Sequence, residues 1–210
     1  MLRILIADDH PVVRQGLRQI VAEASDMVVA DEAGDGWQVL NKVRASHYDV
    51  VLLDISMPGI NGLDIIKQLK NERPQITILV LSIHSEEQYA VRALRAGASG
   101  YLTKDSAPDE LVAAIRKVSS GGKHVSSSLA EKLASELKSG DEQLPHKYLS
   151  DREYHVMCMI ASGKTVTEIA DELLLSVKTI STYRSRILEK MKMKNNAELT
   201  HYSMKNQLVD

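Results

Sequence analysis

Acidic side chains follow two short apolar runs in the first half of the sequence. Asp8 and Asp9 come directly after the run 2–7, and Asp54 comes after 50–53. Carboxylates held close together repel one another unless a cation shares the site, and hard oxygen ligands suit Mg²⁺. A bound metal ion neutralises charge on an incoming phosphoryl group, and a carboxylate that attacks phosphorus forms an acyl phosphate. The three acids therefore indicate a magnesium site suited to phosphoryl chemistry.

Two further polar residues stand at the ends of apolar runs. Ser82 ends the run 77–82 and offers a hydroxyl to a phosphoryl oxygen, while Lys104 follows 100–103 and offers a positive charge. Each residue alone has an ordinary interpretation, because an aspartate at a strand end usually caps a helix and a lone lysine usually lies on the surface. The joint placement of these residues in four separate runs favours a functional site.

Alternating strands and helices are needed to bring these residues together. The sequence predicts strands at 2–7, 27–32, 49–53, 77–82 and 100–103, and amphipathic helices at 11–24, 36–46, 62–71, 85–96 and 107–119. The first, third and fourth strands are apolar on both faces, as in parallel sheets covered on both sides. We predict an α/β fold with a doubly wound five-stranded parallel (βα)5 sheet, whose polar residues meet beyond the carboxyl ends of the strands.

The remainder of the chain differs from the first 120 residues in composition and in the pattern of its apolar residues. Residues 121–148 read as a linker rich in Ser and Gly, with a possible short helix at 129–138, so the first domain spans 1–120. Residues 149–210 form a smaller all-α domain, with helices predicted at 149–163, 165–173, 176–193 and 196–207. Ser150 with Glu153, and Thr165 with Glu168, have the spacing of capping boxes at two helix starts. Short helices joined by tight turns predict a helix-turn-helix module.

The third of these helices is basic. The stretch 176–192 carries five Lys or Arg and one acid, Glu189, whereas the whole chain has a net charge of −2. Such a stretch suggests a polyanion contact, although a solvated helix face is the ordinary alternative. We expect base contacts from Ser181, Thr182 and Ser185, and phosphate contacts from Lys178, Thr179, Arg184 and Arg186.

The first 120 residues resemble the receiver domain of bacterial two-component response regulators. The matching stretches are "ADDHP" (7–11), "LLDISMPGINGLD" (52–64), "LVLSIH" (79–84) and "GYLTKD" (100–105). The resemblance implies that Asp54 accepts a phosphoryl group from a histidine kinase. It implies that Asp9, Asp54 and the Ser56 carbonyl bind Mg²⁺, with Asp8 helping through water, and that Lys104 contacts the phosphoryl group.

The same resemblance implies a conformational switch beside the pocket. Ser82 and Tyr101 form the switch pair, in which the hydroxyl moves inward and the ring follows. Ser56 and His84 stand two residues after the acceptor and the switch hydroxyl, respectively. We expect these two side chains to tune access of water and so the lifetime of the phosphoryl group.

Residues 149–199 resemble the helix-turn-helix domain of the LuxR, FixJ and NarL type. Together the two resemblances cover about nine-tenths of the chain and imply a transcription regulator that binds double-stranded DNA. A single domain of this size makes few contacts, so we expect a homodimer on two half-sites when the protein is active. Three positions depart from the common pattern: His155 replaces an acid, Tyr183 a histidine and Lys192 a glycine. We expect Lys192 to alter the turn before the last helix, which either presents the dimer face or only completes the core.

Two other functions remain open. One is a phosphatase of the haloacid dehalogenase type, but that chemistry usually requires an acid where this chain has Ser56. The other is a receiver with a protein-binding tail. We expect the chain not to be a dedicated enzyme. The single Cys158, the absence of a long apolar run and an N-terminus unlike a signal peptide predict a cytoplasmic protein without a membrane partner.

Overall fold

The computed structural model describes residues 1–83, 86–127, 129–131 and 144–209. The chain divides into two compact units, Met1–Leu133 and Ala134–Asp210, which we describe separately. His84 and most of the short helix predicted at 129–138 lie outside the described residues. None of the helices in these ranges is long and apolar enough to cross a membrane.

Strands and helices alternate in the first unit. They are β1 (Leu2–Ala7), α1 (Pro11–Ala22), β2 (Met27–Ala33), α2 (Gly36–Ala45), β3 (Val50–Asp54), α3 (Gly62–Glu72), β4 (Thr77–Ser82), α4 (Glu86–Ala96), β5 (Gly100–Thr103) and α5 (Ala107–Ser119). The strands form one parallel sheet in the order β2-β1-β3-β4-β5. The predicted five-stranded doubly wound fold is confirmed.

Apolar residues on both faces of the central strands hold this unit together. Ile4 and Leu52 pack on one face with Leu17 of α1 and Leu111 of α5, and all four are buried. The intervening strand residues point to the opposite face, because successive side chains of a strand alternate. The helices α2, α3 and α4 pack side by side. This two-sided burial fixes the strand register, and with it the positions of the polar residues at the strand ends.

The second unit is helical. A 3₁₀ turn at Pro145–Tyr148 precedes α6 (Asp151–Ala161), α7 (Val166–Glu172), α8 (Val177–Met191) and α9 (Asn196–Lys205). Both predicted capping boxes are present, at Ser150 and Thr165. The helix α8 ends at Lys192, whose φ of 55° lies in the left-handed region that favours glycine. The departure from glycine noted in the sequence therefore falls on the residue that terminates the basic helix.

Candidate functional site

The polar residues predicted at the strand ends lie at one edge of the sheet. Asp8 follows β1, Asp54 is the last residue of β3, Ser82 is the last of β4, and Lys104 follows β5. The strand β3 is longer by one residue at this end than the sequence predicted, because Asp54 still pairs with Leu81 of β4. The main chain of Asp54 is thus fixed by the sheet, and its carboxylate lies in the pocket beside Lys104.

One ammonium group joins two of the buried acids. The Nζ of Lys104 lies 2.6 Å from Oδ2 of Asp54 and 2.6 Å from Oδ2 of Asp8. Asp8 and Asp54 are 1 % and 2 % exposed, so bulk water does not hydrate either carboxylate. A buried pair of like charges is tolerable only with a cation close by, and Lys104 supplies that charge in this structure.

The environment of this triad shifts two pKa values. Burial raises the pKa of Asp54, although the Lys104 ammonium and the N–H of Ser56, which donates to Asp54 Oδ1 over 2.7 Å, act in the opposite direction. Burial alone lowers the pKa of Lys104, but the carboxylates of Asp54 and Asp8 outweigh it and raise that pKa. Lys104 therefore remains charged and holds Asp54 at a fixed distance.

Asp9 and His10 complete the acidic cluster. Ligand atoms of Asp8, Asp9, His10 and Asp54 all lie within 4.8 Å of one another. The Oδ1 of Asp9 is buried and has no hydrogen-bond partner among the described residues, although His10 Nδ1 is 3.0 Å away in a poor orientation. A buried carboxylate oxygen of this kind can accept a cation without losing another partner. The backbone N–H of His10 donates to Asp8 Oδ1 over 2.8 Å, which shapes the loop after β1.

The predicted switch residues are both buried. Ser82 and Tyr101 are 0 % exposed, and they occupy the neighbouring strands β4 and β5. The main-chain oxygen of Ser82 accepts a hydrogen bond from the Lys104 N–H over 2.8 Å. The ring of Tyr101 is therefore already in the interior in this structure, and Ser82 is connected through the backbone to the lysine of the pocket.

The residues predicted to tune phosphate lifetime are described only in part. Ser56 is half-buried, and its Oγ is buried without a hydrogen-bond partner in the described part of the chain. Its N–H donates to Asp54, which places the residue directly beside the carboxylate. The second residue, His84, lies outside the described ranges, so its predicted role stays a prediction.

A supporting residue of the pocket was missed in the sequence. The guanidinium of Arg14 donates from Nη1 to the main-chain oxygen of Asp8 over 2.7 Å, and from Nε to Glu32 over 3.1 Å. Arg14 thereby fixes the backbone at the end of β1. Its position in the first turn of α1, directly after the acidic pair, was the available signal.

The helix α8 presents most of the predicted DNA-contacting residues to solvent. Lys178, Ser181, Thr182, Ser185 and Arg186 are exposed, whereas Thr179 and Arg184 are half-buried. Lys178 and Arg186 form no ion pair within the described part of the second unit. These two cations are therefore free to meet an anionic partner.

Hydroxyl groups on this face are engaged with the helix itself. Thr182 Oγ1 donates to the carbonyl of Lys178 over 2.9 Å, and Ser185 Oγ donates to that of Ser181 over 3.1 Å. Each oxygen keeps lone pairs that can accept a hydrogen bond. Thr179 instead lies at the helix start, where its N–H bonds to the Ser176 hydroxyl over 3.0 Å.

The fold and the pocket define a class of protein: a doubly wound unit with an acidic pocket at the carboxyl edge of its sheet, followed by a helix-turn-helix unit. Comparison with protein families agrees with this class. Residues 4–116 match the model of the response regulator receiver domain, and residues 147–203 match that of the bacterial regulatory proteins of the luxR family. The chain belongs to the two-component response regulators that carry a receiver and a LuxR-type DNA-binding domain.

Curated relatives match along the whole chain. The response regulator UvrY of Escherichia coli O6:H1 is 38 % identical over 211 residues, which cover 100 % of this chain and 97 % of UvrY. The response regulator GacA of Pseudomonas aeruginosa is 38 % identical over 213 residues, with 100 % and 99 % covered.

Solved structures of RcsB from Salmonella also match. One RcsB structure has a TM-score of 0.72 at 27 % identity, and the match covers 98 % of each chain. Another, bound to the promoter rprA in the presence of the phosphomimetic BeF₃⁻, has a TM-score of 0.67 at 29 % identity, with 96 % of this chain and 98 % of that chain covered.

Proposed function

We propose that Asp54 is the phosphoacceptor of this response regulator and that its phosphorylation switches DNA binding by the second unit. The observation that carries the proposal is the contact of Lys104 Nζ with both Asp54 and Asp8 at 2.6 Å, on the buried carboxyl edge of the sheet. Arriving phosphoryl oxygens offer the ammonium a new partner, so modification of Asp54 must rearrange this triad.

The residues of the pocket fit a magnesium ion. The unsatisfied Asp9 Oδ1 and the hard oxygen ligands of Asp54 and Asp8 are the donors that Mg²⁺ prefers. By resemblance, Asp9, Asp54 and the carbonyl of Ser56 would hold the ion, with Asp8 acting through water. When bound, Mg²⁺ neutralises charge on the phosphoryl oxygens.

The phosphoryl donor would be a phosphohistidine of a sensor kinase. A carboxylate oxygen of Asp54 attacks phosphorus, the new O–P bond forms as the P–N bond to histidine breaks, and the released imidazole takes up a proton. Lys104 stays beside the phosphoryl oxygens, where its charge stabilises them. Because Asp54 ends a paired strand, its carboxylate is held in place for this attack.

Phosphorylation would act on the switch pair, Ser82 and Tyr101. The two residues that flank the phosphoryl site, Ser56 and His84, would set how long the phosphoryl group persists. The added charge and acceptor oxygens attract the Ser82 hydroxyl, and the ring of Tyr101 repacks in response. Ser56, beside Asp54, and His84 would set how readily water reaches the phosphoryl group. We propose that the chain acts as a regulator and not as a dedicated enzyme.

The second unit would bind double-stranded DNA through the exposed face of α8. Lys178 and Arg186 are suited to phosphate contacts and Thr179 can bond a phosphate at the helix start, while Ser181, Thr182 and Ser185 can accept hydrogen bonds from bases. The RcsB structures include two dimers bound to two parallel DNAs, and by analogy we propose a homodimer when active. Because the proposed partners are a sensor kinase and double-stranded DNA, we propose that the protein acts in the cytoplasm.

Intact-mass measurement with a small acyl phosphate donor tests the acceptor. With Mg²⁺ present, the wild type should gain the mass of one phosphoryl group, and the peptide that contains Asp54 should carry it. Asp54→Asn should gain none, and Asp9→Asn should gain it far more slowly. Labelling of Asp54→Asn at the wild-type rate would overturn the assignment.

The same experiment separates the phosphatase alternative. A phosphatase releases inorganic phosphate over many turnovers, whereas a regulator accumulates one phosphoryl group and loses it slowly. Sustained turnover by the wild type would favour the enzyme. A tail that shows no salt-dependent affinity for duplex DNA would favour the protein-binding alternative.

A further inference from the structure

Arg184 differs from the other basic residues of α8 in where it lies. It follows Ile180 by four residues and precedes Ile187 by three, and both isoleucines are 0 % exposed. Residues with this spacing share one face of a helix. Lys178, Thr182 and Ser185 lie on the opposite, exposed face. Helix geometry therefore places Arg184 with the packed residues of α8, away from the proposed DNA contacts.

The guanidinium of Arg184 is held by the next helix. Its Nε donates to Oδ1 of Asn196, the first residue of α9, over 2.7 Å. The connecting turn is ordered by Lys192 in the left-handed region and by the N–H of Lys194, which donates to Glu198 over 2.9 Å. A charged donor that is half-buried and bonded at this distance contributes more than an exposed ion pair.

We propose that Arg184 is a positioning residue, which fixes the angle of α8 against α9 through Asn196 and does not contact DNA phosphates. This inference rests on the proposed DNA-binding function and assigns Arg184 a role other than the phosphate contact expected from charge alone. A second inter-helix contact supports the idea that α8 is held at fixed points: Lys190 Nζ lies 2.6 Å from Glu153 Oε2 of α6. Arg184 would fix the middle of α8, and Lys190 its end.

Salt dependence of DNA binding distinguishes positioning from phosphate contact. Each phosphate contact that is lost lowers the slope of log affinity against log salt by about 0.9. The probe is the duplex that the wild-type protein, treated with an acyl phosphate, selects from a random-sequence library. Lys178→Gln is the matched control, because Lys178 is an exposed cation of the same helix and should lower the slope by about 0.9 for each protomer bound, or about 1.8 for the proposed homodimer.

For Arg184→Met we expect affinity to fall about tenfold at every salt concentration, with the slope unchanged. Asn196→Ala should reproduce this loss of affinity within about twofold. The double variant should lose no more affinity than either single variant, because both substitutions remove the same hydrogen bond between Arg184 and Asn196. A decrease in slope for Arg184→Met as large as that for Lys178→Gln would overturn the proposal. So would wild-type affinity for Asn196→Ala.

Arg184→Lys keeps the test valid if the methionine variant folds poorly. A lysine retains the positive charge but lacks the Nε–H that meets Asn196. Positioning predicts that Arg184→Lys loses affinity like Asn196→Ala, whereas a phosphate contact predicts near-wild-type affinity and slope. If the wild type itself shows no salt-dependent affinity for any duplex, the proposed DNA-binding function fails, which is distinct from failure of this inference.

Discussion

The backbone N–H of Tyr101 donates a hydrogen bond to the main-chain oxygen of His124, 3.0 Å away. The N–H of His124 in turn donates to the carbonyl of Ser99 over 3.1 Å, so His124 pairs in parallel with Gly100 at the edge of β5. The segment after α5 therefore covers the free edge of the strand that carries the proposed switch tyrosine. A displacement of β5 at Tyr101 would be transmitted to this segment through main-chain bonds.

Substitution of Gly100 tests how closely the segment around His124 packs against β5. A Cβ at Gly100 would lie 2.7 Å from the His124 oxygen and 2.9 Å from its Cβ, which is closer than a Cβ atom approaches a non-bonded atom. We expect Gly100→Ala to lower the free energy of unfolding of the first unit by about 1–3 kcal/mol. Urea unfolding followed by fluorescence of Trp37, the single tryptophan, measures the change.

Gly16→Ala is the matched control for that substitution. Gly16 lies inside α1, and a Cβ there meets nothing within 4 Å. The control should stabilise the unit by about 0.5–1 kcal/mol, because alanine favours a helix interior. If both variants shift the free energy of unfolding in the same direction, close packing of His124 on Gly100 does not cause the loss of stability in Gly100→Ala.

The buried Glu153 should make the stability of the second unit depend on acid. Burial alone would raise the pKa of Glu153, but hydrogen bonds from Lys190 and Ser150 outweigh it, so the folded pKa lies below the ordinary value of 4.5. The carboxylate therefore stabilises the fold fully above pH 4.5, and this contribution is lost as pH falls through the folded pKa. We expect Glu153→Gln to cost about 1–2 kcal/mol at neutral pH and progressively less below pH 4.5.

Hydrogen exchange of the α6 and α8 amides, measured across pH, would show this loss. Glu198→Gln provides a comparison at an exposed capping carboxylate in the same unit. A cost for Glu153→Gln that is constant down to the lowest pH would contradict the assigned shift.

Lys192 should carry a conformational cost at the end of α8. Its φ of 55° and ψ of 41° are left-handed values at which a side chain is strained and glycine is not. We expect Lys192→Gly to raise the free energy of unfolding of the second unit by about 0.5–1 kcal/mol. In contrast, glycine at Glu189, which is exposed in the last turn of α8, should lower it by up to about 1 kcal/mol. Equal destabilisation by both substitutions would show that the left-handed conformation of Lys192 is not strained.

Magnesium should stabilise the first unit through the acidic cluster. A ligand that binds only the folded state at ten times its dissociation constant adds about 1.4 kcal/mol. We expect Mg²⁺ to raise the unfolding temperature of the wild type and chelation to reverse the increase. Asp9→Asn should abolish the effect, because it removes a carboxylate of the cluster whose buried Oδ1 has no hydrogen-bond partner among the described residues. A shift of wild-type size in Asp9→Asn would argue that the ion binds elsewhere.

Residues at strand ends could be placed from the sequence because parallel strands share one carboxyl edge. Asp8, Asp54, Ser82 and Lys104 were located in this way, and the structure brings the side chains of Asp8, Asp54 and Lys104 together. The bridge between Lys104 and the two acids was not predictable, because it depends on where a flexible side chain finds a partner. The pairing of His124 with Gly100 could not be predicted from the Ser- and Gly-rich linker sequence. Main-chain groups form this pairing, and no pattern of side chains marks it.

For Arg184, in contrast, the sequence did contain the information that predicts the position of its side chain. Counting charge grouped Arg184 with Lys178 and Arg186, although its spacing from Ile180 and Ile187 already placed it on the apolar face. Periodicity gives the direction of a side chain and charge gives only its sign, so the two must be applied together to a basic helix.

The most direct test is duplex affinity before and after treatment with an acyl phosphate, in the wild type and in Asp54→Asn. Phosphorylation of the wild type should change its affinity for the selected duplex, and the change should decay as the phosphoryl group is lost. Asp54→Asn should remain unlabelled and keep the affinity of the untreated protein. An equal change in affinity in Asp54→Asn would contradict the role of Asp54 as the residue through which DNA binding is controlled.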